Sequence, residues 1–230
     1  MRVSTGVPGF DELVDGGLLD GRLYAVSGPP GSGKTTFCSQ FITQGARDGD
    51  SCLYVTMHET ESELLEDMSG YDFGFERAME SDCIEFLNLV TERGKQTITR
   101  FGSEGGLTGR LVGFLEERNI DRAVIDSTVL LQHFFSDHSD EITGFLSGLK
   151  QTDATILLIS EMTAPTSYAD EHYLAHGVIF FHNFLDGGGM QRGIQLIKMR
   201  GTQIDCDIRE LSFSGHGLQV DGSKTVEARM

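Results

Sequence analysis

Basic residues are scarce in this chain of 230 residues. Eighteen Lys and Arg stand against 35 Asp and Glu, which gives a formal net charge of −17, and only five of the basic residues are lysines. A polyanion such as DNA is repelled by such a chain unless the positive charge is concentrated in one place. Because the acids are dispersed rather than gathered in a tail, the composition favours adaptation to high salt over ordinary solubility.

Cysteine pairs and long hydrophobic runs are also missing. The cysteines are far apart, with no C-x-x-C pair, and each lies in or beside an apolar stretch: Cys38, Cys52, Cys83 and Cys206. This pattern predicts reduced, mostly buried thiols in a cytoplasmic protein. No run approaches the ~18 apolar residues that a membrane span requires, and the N-terminal MRVSTGVPGF contains no hydrophobic signal segment. We therefore expect no membrane association.

Short β-branched runs alternate with longer amphipathic stretches through most of the chain. Thr60 and Glu63 have the spacing of a capping box, which starts one of the predicted helices. Strands are predicted at 22–28, 51–57, 83–89, 121–127 and 154–160, and helices at 35–46, 60–68, 107–119 and 140–151. Strands that alternate with helices are typical of an α/β fold in which a mostly parallel central sheet is flanked by helices.

The pattern changes after residue 176. GVIFFHNF, QRGIQLIKM, DIRELSF and GLQV are successive predicted strands that only short polar links separate. Such a series predicts an antiparallel meander that closes one edge of the sheet. We find no linker and expect a single domain over residues 1–220, followed by a flexible tail at 221–230.

A phosphate-binding motif lies between the first predicted strand and the first predicted helix. Residues 28–35 read GPPGSGKT and match G-x-x-x-x-G-K-[ST] in full. The glycines let backbone N–H groups turn towards phosphate oxygens, and the helix N-terminus adds a favourable dipole. Lys34 is expected to reach the β- and γ-phosphates of ATP, and Thr35 to place its hydroxyl on Mg²⁺. The predicted ATP-binding residues are Gly28, Pro29, Pro30, Gly31, Ser32, Gly33, Lys34, Thr35 and Thr36.

Three acids stand at or just after the carboxyl ends of other predicted strands. Ligands of open α/β sheets lie outside the carboxyl ends of the strands, and Glu59, Asp126 and Glu161 all stand at that level. A P-loop needs a second magnesium-side group on a neighbouring strand, and we expect Asp126 to supply it, although a simple turn cap is the alternative. Glu59 follows a strand expected near the P-loop strand, so it is either a base for water or a solvated loop acid.

Taken together, these residues resemble the RecA superfamily and, within it, the KaiC-like ATPases. STGVPGFDELVDGGL at 4–18, LYVTMHET, AVIDS, LISE, GVIFF and KMRGT follow the order of that family over residues 3–220. The resemblance implies a RecA-like P-loop NTPase fold that assembles as a ring, often a hexamer, with ATP between the subunits. The clock protein of the family has two fused ATPase domains, whereas this chain has one P-loop, so timekeeping does not carry over.

The resemblance also implies catalytic residues. The family has two adjacent glutamates after the second strand, whereas here the first is His58 and only Glu59 remains. A neutral imidazole can hydrogen-bond a water molecule but lacks the fixed charge of a carboxylate. In KMRGT the resemblance implies that Lys198 and Arg200 reach the ATP of a neighbouring subunit. On a strand these two residues would share one face, although an exposed basic pair on an edge strand is the alternative.

Other candidates are weaker. His172 and His176 have i, i+4 spacing, but no third zinc ligand is evident, so we expect solvent-side or loop histidines. Phe134 and Phe135 form either an exposed interface pair or local core packing. The two loops through which some relatives bind DNA, 127–139 and 163–176, contain no Lys or Arg.

The sequence therefore predicts an Mg·ATP-binding, slowly hydrolysing ATPase that forms a homo-oligomeric ring, with a regulatory or signalling role and an unidentified protein partner. One alternative is a nucleotide-gated binding module with little or no hydrolysis. The other alternative is a DNA recombination accessory protein. It is the weakest of the three readings, because DNA binding requires several phosphate contacts and the two loops contain no basic residues.

Overall fold

The computed structural model describes residues 1–101, 106–127, 139–162, 164–186 and 188–226. Phe134 and Phe135 lie outside these residues. Eleven strands are found in the described residues: β1 Arg2–Val3, β2 Leu18–Leu19, β3 Leu23–Gly28, β4 Cys52–Thr56, β5 Ile84–Asn88, β6 Arg122–Asp126, β7 Thr155–Glu161, β8 Gly177–Asp186, β9 Gly189–Met199, β10 Arg209–Ser214 and β11 Gly217–Thr225.

A 3-10 helix at Asp11–Val14 and seven α-helices complete the described elements. The α-helices are α1 Lys34–Asp48, α2 Glu61–Met68, α3 Phe75–Met79, α4 Glu92–Thr99, α5 Gly106–Glu117, α6 Ser139–Leu149 and α7 Asp170–Leu174. None of the helices in the described ranges is long and apolar enough to cross a membrane.

Nine strands form one sheet in the order β11-β10-β9-β8-β3-β7-β6-β4-β5, and β1 pairs separately with β2. Strands β8, β3, β7, β6, β4 and β5 run parallel, whereas β9, β10 and β11 return antiparallel to one another. The predicted fold class is confirmed, including the C-terminal meander.

The central strands are buried on both faces because helices cover both sides of the sheet. In β4, Tyr54 packs into an apolar cluster with α1, whereas its neighbours Leu53 and Val55 pack into a second cluster with α5 and α6. Successive side chains of a strand point to opposite faces, so a continuous apolar run fills both layers. This explains why the predicted parallel strands read as uninterrupted hydrophobic segments.

The predicted capping box is present. The Thr60 hydroxyl accepts a hydrogen bond from the Glu63 N–H at 3.2 Å, and the Glu63 carboxylate accepts one from the Thr60 N–H at 2.7 Å. Elements that the sequence reading did not predict are short: β1, β2, the 3-10 helix, α3, α4 and α7. Runs of two to eight residues complete at most about two helical turns, which leaves little periodicity to detect.

One expectation about local environment was wrong, and another was met only in part. The flexible tail predicted from residue 221 is instead strand as far as Thr225, because β11 pairs with β10 up to the Arg209–Thr225 pair. Residues 227–230 lie outside the described ranges. Of the cysteines predicted to be mostly buried, Cys38 and Cys52 are buried, Cys83 is partly exposed and Cys206 is exposed.

Candidate nucleotide site

The loop between β3 and α1 has the backbone that the phosphate-binding motif predicts. Gly28 and Gly33 have φ values of 150° and 108°, which residues with a side chain rarely adopt. A Cβ at Gly28 would come within 2.6 Å of the Phe181 carbonyl oxygen, and one at Gly33 within 2.9 Å of the Phe213 ring. Both positions therefore require glycine for conformation and for space.

The N-terminus of α1 is open to an anion. Its N-cap residue, Gly33, provides no side-chain hydrogen bond, and the first turn contains no acidic residue. The hydroxyl of Ser32 is buried and has no hydrogen-bond partner among the described residues. Free N–H groups, the positive end of the helix dipole and an unpaired hydroxyl together fit a bound phosphate.

Lys34 lies folded over this loop. It is 9% exposed, and its ammonium group donates hydrogen bonds to the carbonyl oxygens of Gly28 at 2.9 Å and Pro29 at 3.0 Å. Burial lowers the pKa of Lys34, and the nearby carboxylates of Glu161 and Asp126 oppose that shift. The Lys34 side chain thus lies at the place where phosphate oxygens would compete with the two carbonyls.

Thr35 and Asp126 meet beside the loop. The Thr35 hydroxyl donates to the Asp126 carboxylate at 3.5 Å, and the Tyr54 hydroxyl donates to the same oxygen at 3.1 Å. Burial raises the pKa of Asp126, while Tyr54, His58 and Lys34 lower it. A hydroxyl beside a partly buried carboxylate is a set of oxygen donors that fits Mg²⁺.

We expected Asp126 on a strand next to the P-loop strand. The strand that carries it, β6, is not the direct neighbour of β3. β7 lies between β3 and β6, and the strand before Glu59, β4, is on the far side of β6. The order of parallel strands depends on where each crossover helix returns the chain, and no local pattern encodes that choice. The side chains still converge, since Thr35 is in hydrogen-bond contact with Asp126.

Glu59 lies beyond the end of β4, where Thr56 pairs with Asp126. The Asn88 side-chain amide donates to the Glu59 carbonyl oxygen at 2.7 Å and so fixes the backbone at this point. Burial, followed by the charge of Asp126, raises the pKa of Glu59. His58 is exposed, and its backbone N–H donates to the Thr56 hydroxyl at 3.1 Å.

Glu161 stands at the same edge of the sheet. It pairs in register with Gly28, since β7 is the direct neighbour of β3, and it is exposed. The structure thus brings the P-loop, Glu59, Asp126 and Glu161 to one edge, as expected.

Lys198 and Arg200 lie at the opposite end of the P-loop strand. Val178 pairs with Ala25 on one side and with Lys198 on the other. Lys198 is therefore level with Ala25, which is three residues before Gly28, or about 10 Å along a strand. The Arg200 N–H donates to the His176 carbonyl oxygen at 2.8 Å, further from the loop. The expectation that both residues share one strand face was wrong, because β9 ends at Met199 and Arg200 is an exposed turn residue.

Of the two histidines that we expected in solvent or a loop, His176 lies in the loop between α7 and β8, whereas His172 does not. His172 is 2% exposed within α7, because its ring bonds to the Ser27 hydroxyl at 2.9 Å. His176 is half-buried, and its Nδ1 accepts a hydrogen bond from the Leu23 N–H at 3.2 Å. No group of three or more potential metal-ligating side chains occurs in the part of the chain that the structure describes.

Three residues beside the loop were missed by the sequence reading. Tyr54 was part of a predicted strand, but its bond to Asp126 depends on the pairing of β4 with β6. Phe213 packs over Gly33, and the guanidinium of Arg192 lies 4.9 Å from its ring centre. For Phe213 and Arg192, the sequence indicated only that they belong to the meander. It does not reveal that the meander folds against the P-loop.

A P-loop at the end of a strand in a mostly parallel sheet, with Asp126 in contact with its threonine, places this chain in the class of P-loop nucleotide-binding proteins. Residues 3–225 match the family model described as "ATPase: KaiC", and the chain belongs to that family.

Individual relatives agree. The chain is 27% identical to the circadian clock protein KaiC3 of Synechocystis over 87% of its own length and 41% of that protein's. It is 26% identical to the circadian clock oscillator protein KaiC of Parasynechococcus marenigrum over 95% and 44% of the respective lengths. It thus spans less than half of these two relatives. A crystal structure of a KaiC-like protein from Pyrococcus horikoshii matches with a TM-score of 0.78 and 26% identity, over 96% of this chain and 99% of that one.

Proposed function

We propose that this chain is a single-domain, Mg·ATP-dependent ATPase of slow turnover that acts as a ring-shaped homo-oligomer of six subunits in regulation or signalling. The observation that carries the proposal is the contact between the Thr35 hydroxyl and the partly buried Asp126 carboxylate beside the uncapped N-terminus of α1. Membership of the KaiC ATPase family supports it.

In this proposal the backbone of residues 28–36 holds the phosphates of ATP, and Lys34 exchanges its two carbonyl partners for phosphate oxygens. Thr35 and Asp126 hold Mg²⁺, which neutralises charge on the phosphates. The Tyr54 hydroxyl keeps one Asp126 oxygen oriented, since it donates to that oxygen at 3.1 Å. The same edge of the sheet therefore supplies binding and metal-side groups from three strands.

Glu59 orients or deprotonates the attacking water. A general base works best when its pKa approaches the working pH, and burial raises the pKa of Glu59 in that direction. The Asn88 bond to the Glu59 carbonyl holds the residue near Asp126. His58 adds no fixed carboxylate charge beside it, which is our reason for proposing slow turnover.

Lys198 and Arg200 act on the ATP of a neighbouring subunit. Both lie too far along the sheet to serve their own P-loop, and Arg200 forms no ion pair with a carboxylate among the described residues. A cation supplied by a neighbouring copy stabilises charge on the transferred phosphoryl group. A heterologous contact of this kind gives a ring when the rotation between successive copies closes.

The test is ATP hydrolysis in high KCl with Mg²⁺, with nucleotide binding and oligomer mass measured in the same samples. We expect Glu59→Gln to bind ATP normally and to lose turnover by at least ~100-fold, the lower end of general acid–base contributions. Glu61→Gln, at an exposed acid two residues further on, is the matched control and should retain turnover. Equal turnover in wild type and Glu59→Gln would remove Glu59 from the mechanism.

A nucleotide-gated binding module is the second candidate, and His58 is the observation that favours it. Under this alternative ATP controls assembly without being hydrolysed. Wild-type turnover no higher than that of Lys34→Ala, combined with an ATP-dependent change in oligomer mass, would establish the module and contradict the ATPase.

We further propose an intracellular, high-salt setting and a protein partner rather than a nucleic acid. Residues 164–176, the described part of one loop at the site edge, contain no Lys or Arg. A salt titration with single-stranded DNA checks this, since phosphate contacts strengthen steeply as salt falls. Measurable binding at low salt would contradict the proposal.

A further inference from the structure

His172 lies between the ends of two strands of the site. The Ala169 N–H donates a hydrogen bond to its Nδ1 at 2.9 Å, so that nitrogen carries no proton and Nε2 must carry it. Nε2 therefore donates to the Ser27 hydroxyl at 2.9 Å, with the Ser160 hydroxyl 3.4 Å away. Burial lowers the pKa of His172, which favours the neutral ring that this arrangement needs.

The preceding residue makes a parallel connection. Glu171 is 7% exposed, and its carboxylate accepts a hydrogen bond from the Ser160 hydroxyl at 2.5 Å. Ser27 and Ser160 immediately precede Gly28 and Glu161. Two successive side chains of α7 are thus bonded to the two strands that end beside Lys34.

The backbone of the same helix holds Lys198. The ammonium group of Lys198 donates to the carbonyl oxygens of His172 at 3.1 Å and Tyr173 at 2.8 Å. One residue, His172, therefore bonds through its side chain to the P-loop strand and through its backbone to Lys198. When Lys34 donates to ATP phosphates instead of to the Gly28 and Pro29 carbonyls, Gly28, the residue after Ser27, loses a hydrogen bond.

We propose that His172 is a positioning residue that couples the P-loop of its own subunit to Lys198. Nucleotide bound in one subunit thereby sets the position of the cation offered to the next subunit's ATP. The inference rests on the proposed action of Lys198 between subunits. It extends that function, because it makes the sites of neighbouring subunits depend on one another.

Two substitutions separate the two bonds of the ring. In His172→Asn the amide oxygen can replace Nδ1 and accept from the Ala169 N–H, but the side chain is too short to reach Ser27. In His172→Gln the amide nitrogen can replace Nε2 and still donate to the Ser27 hydroxyl. We expect turnover of the assembled protein to fall roughly 10-fold in His172→Asn, within the range for residues in one hydrogen-bond network, and to stay within about 2-fold in His172→Gln.

A double-mutant cycle with Lys198→Ala provides the readout that a merely structural role would not change. If His172 acts through Lys198, His172→Asn lowers turnover in the wild-type background and causes no further loss in Lys198→Ala. His182→Asn is the matched control, since it makes the same change at a buried histidine, 6% exposed, that bonds Gln195 instead. Its effect should be the same in both backgrounds.

The outcomes distinguish the two proposals. The coupling is overturned if turnover falls in Lys198→Ala and the losses of turnover add in the double variant. It is also overturned if His172→Asn and His172→Gln lose turnover equally. Both results leave the action between subunits intact. Unchanged turnover in Lys198→Ala overturns both. Thermal unfolding is measured for each variant, and Ser27→Ala, which deletes only the accepting hydroxyl, replaces His172→Asn if that variant does not fold.

Discussion

The two ends of the P-loop strand carry opposite charge. At the carboxyl end, Asp126 and Glu161 surround the single ammonium group of Lys34. At the amino end, burial together with the cations Arg22, Lys150 and Arg200 lowers the pKa of His176 to about 4. In a chain of net charge −17 such a cationic group is unusual, and its charge is opposite to that of the acidic edge.

The comparison teaches how a site can be divided between copies. Among the described residues, the acidic edge has a cradle for phosphate with Lys34 folded over it, whereas Lys198 and Arg200 lie toward the basic edge. In the proposed ring, the acidic edge of one copy meets the basic edge of the next, so that each site draws residues from two copies.

The largest effect is expected when each edge is disabled in turn. Lys34→Ala should abolish ATP binding, and Arg200→Ala should bind ATP but lose turnover by about 1,000-fold, the lower end for a cation supplied between subunits. In a one-to-one mixture, about a quarter of the interfaces combine an intact P-loop with an intact Arg200, so turnover should reappear. The measurement is ATP hydrolysis by the re-assembled mixture.

An exposed lysine supplies the control for this experiment. Lys95→Ala removes a lysine that pairs only weakly with Glu92 at 3.4 Å, and it should leave turnover unchanged alone or mixed. A mixture of Lys34→Ala and Arg200→Ala that stays inactive, although it co-assembles, would show that the two edges do not meet.

The pH dependence of turnover tests the acidic edge alone. Burial and Asp126 raise the pKa of Glu59, and a base must be deprotonated, so turnover should be present above this pKa and lost as the pH falls through it. The acid limb of kcat/KM should therefore lie above the ordinary glutamate range. The charge of His58 lowers this pKa, so His58→Asn should move the limb to higher pH. If the acid limb of kcat/KM persists in the residual activity of Glu59→Gln, the limb belongs to another group.

A smaller effect is expected where the meander closes on the P-loop. Gly33→Ala should lower ATP affinity about 10-fold and stability by about 2 kcal/mol, because it adds a contact with Phe213 to the cost of a left-handed backbone. Gly31 also has a positive φ, but a Cβ there would meet nothing within 4 Å. Gly31→Ala should therefore cost only the strain of the left-handed backbone. Calorimetry of ATP binding and thermal unfolding measure both. Equal losses would mean that Phe213 yields freely.

The smallest effect concerns the helix after Glu59. Thr60→Ala removes the N-cap of α2 and should cost about 1 kcal/mol of unfolding free energy. Ser69→Ala, at the other end of α2, loses only a bond that Ser69 donates to the Glu66 carbonyl and should cost less. Denaturant unfolding checks the difference, and equal losses would contradict a specific role for the capping box.

Features that depend on neighbouring residues were predictable. The P-loop, the start of α1 and the capping box are defined by residues within a few positions, and the strands β3, β4, β6 and β7 by continuous apolar runs. The level of Glu59 and Asp126 followed from the rule that parallel strands end at one edge. The resemblance to the KaiC family was confirmed by the family match over residues 3–225.

Features that depend on strand order and register were not predictable. The insertion of β7 between β3 and β6, the turn position of Arg200 and the burial of His172 all result from where crossovers and returning strands come to rest. His172 shows this most clearly, because an i, i+4 histidine pair in a polar stretch suggested solvent, whereas its ring bonds to Ser27, 145 positions away in the chain.

The sequence by itself determined that this protein has an α/β core with a phosphate-binding loop and an acidic edge, because local backbone preference and hydrophobic pattern encode those features. Only the tertiary structure decided that the cations of KMRGT lie at the far end of the P-loop strand and that α7 connects them to the loop. The physical reason is that β9 runs antiparallel to β8, so its last residues return to the edge from which β3 begins.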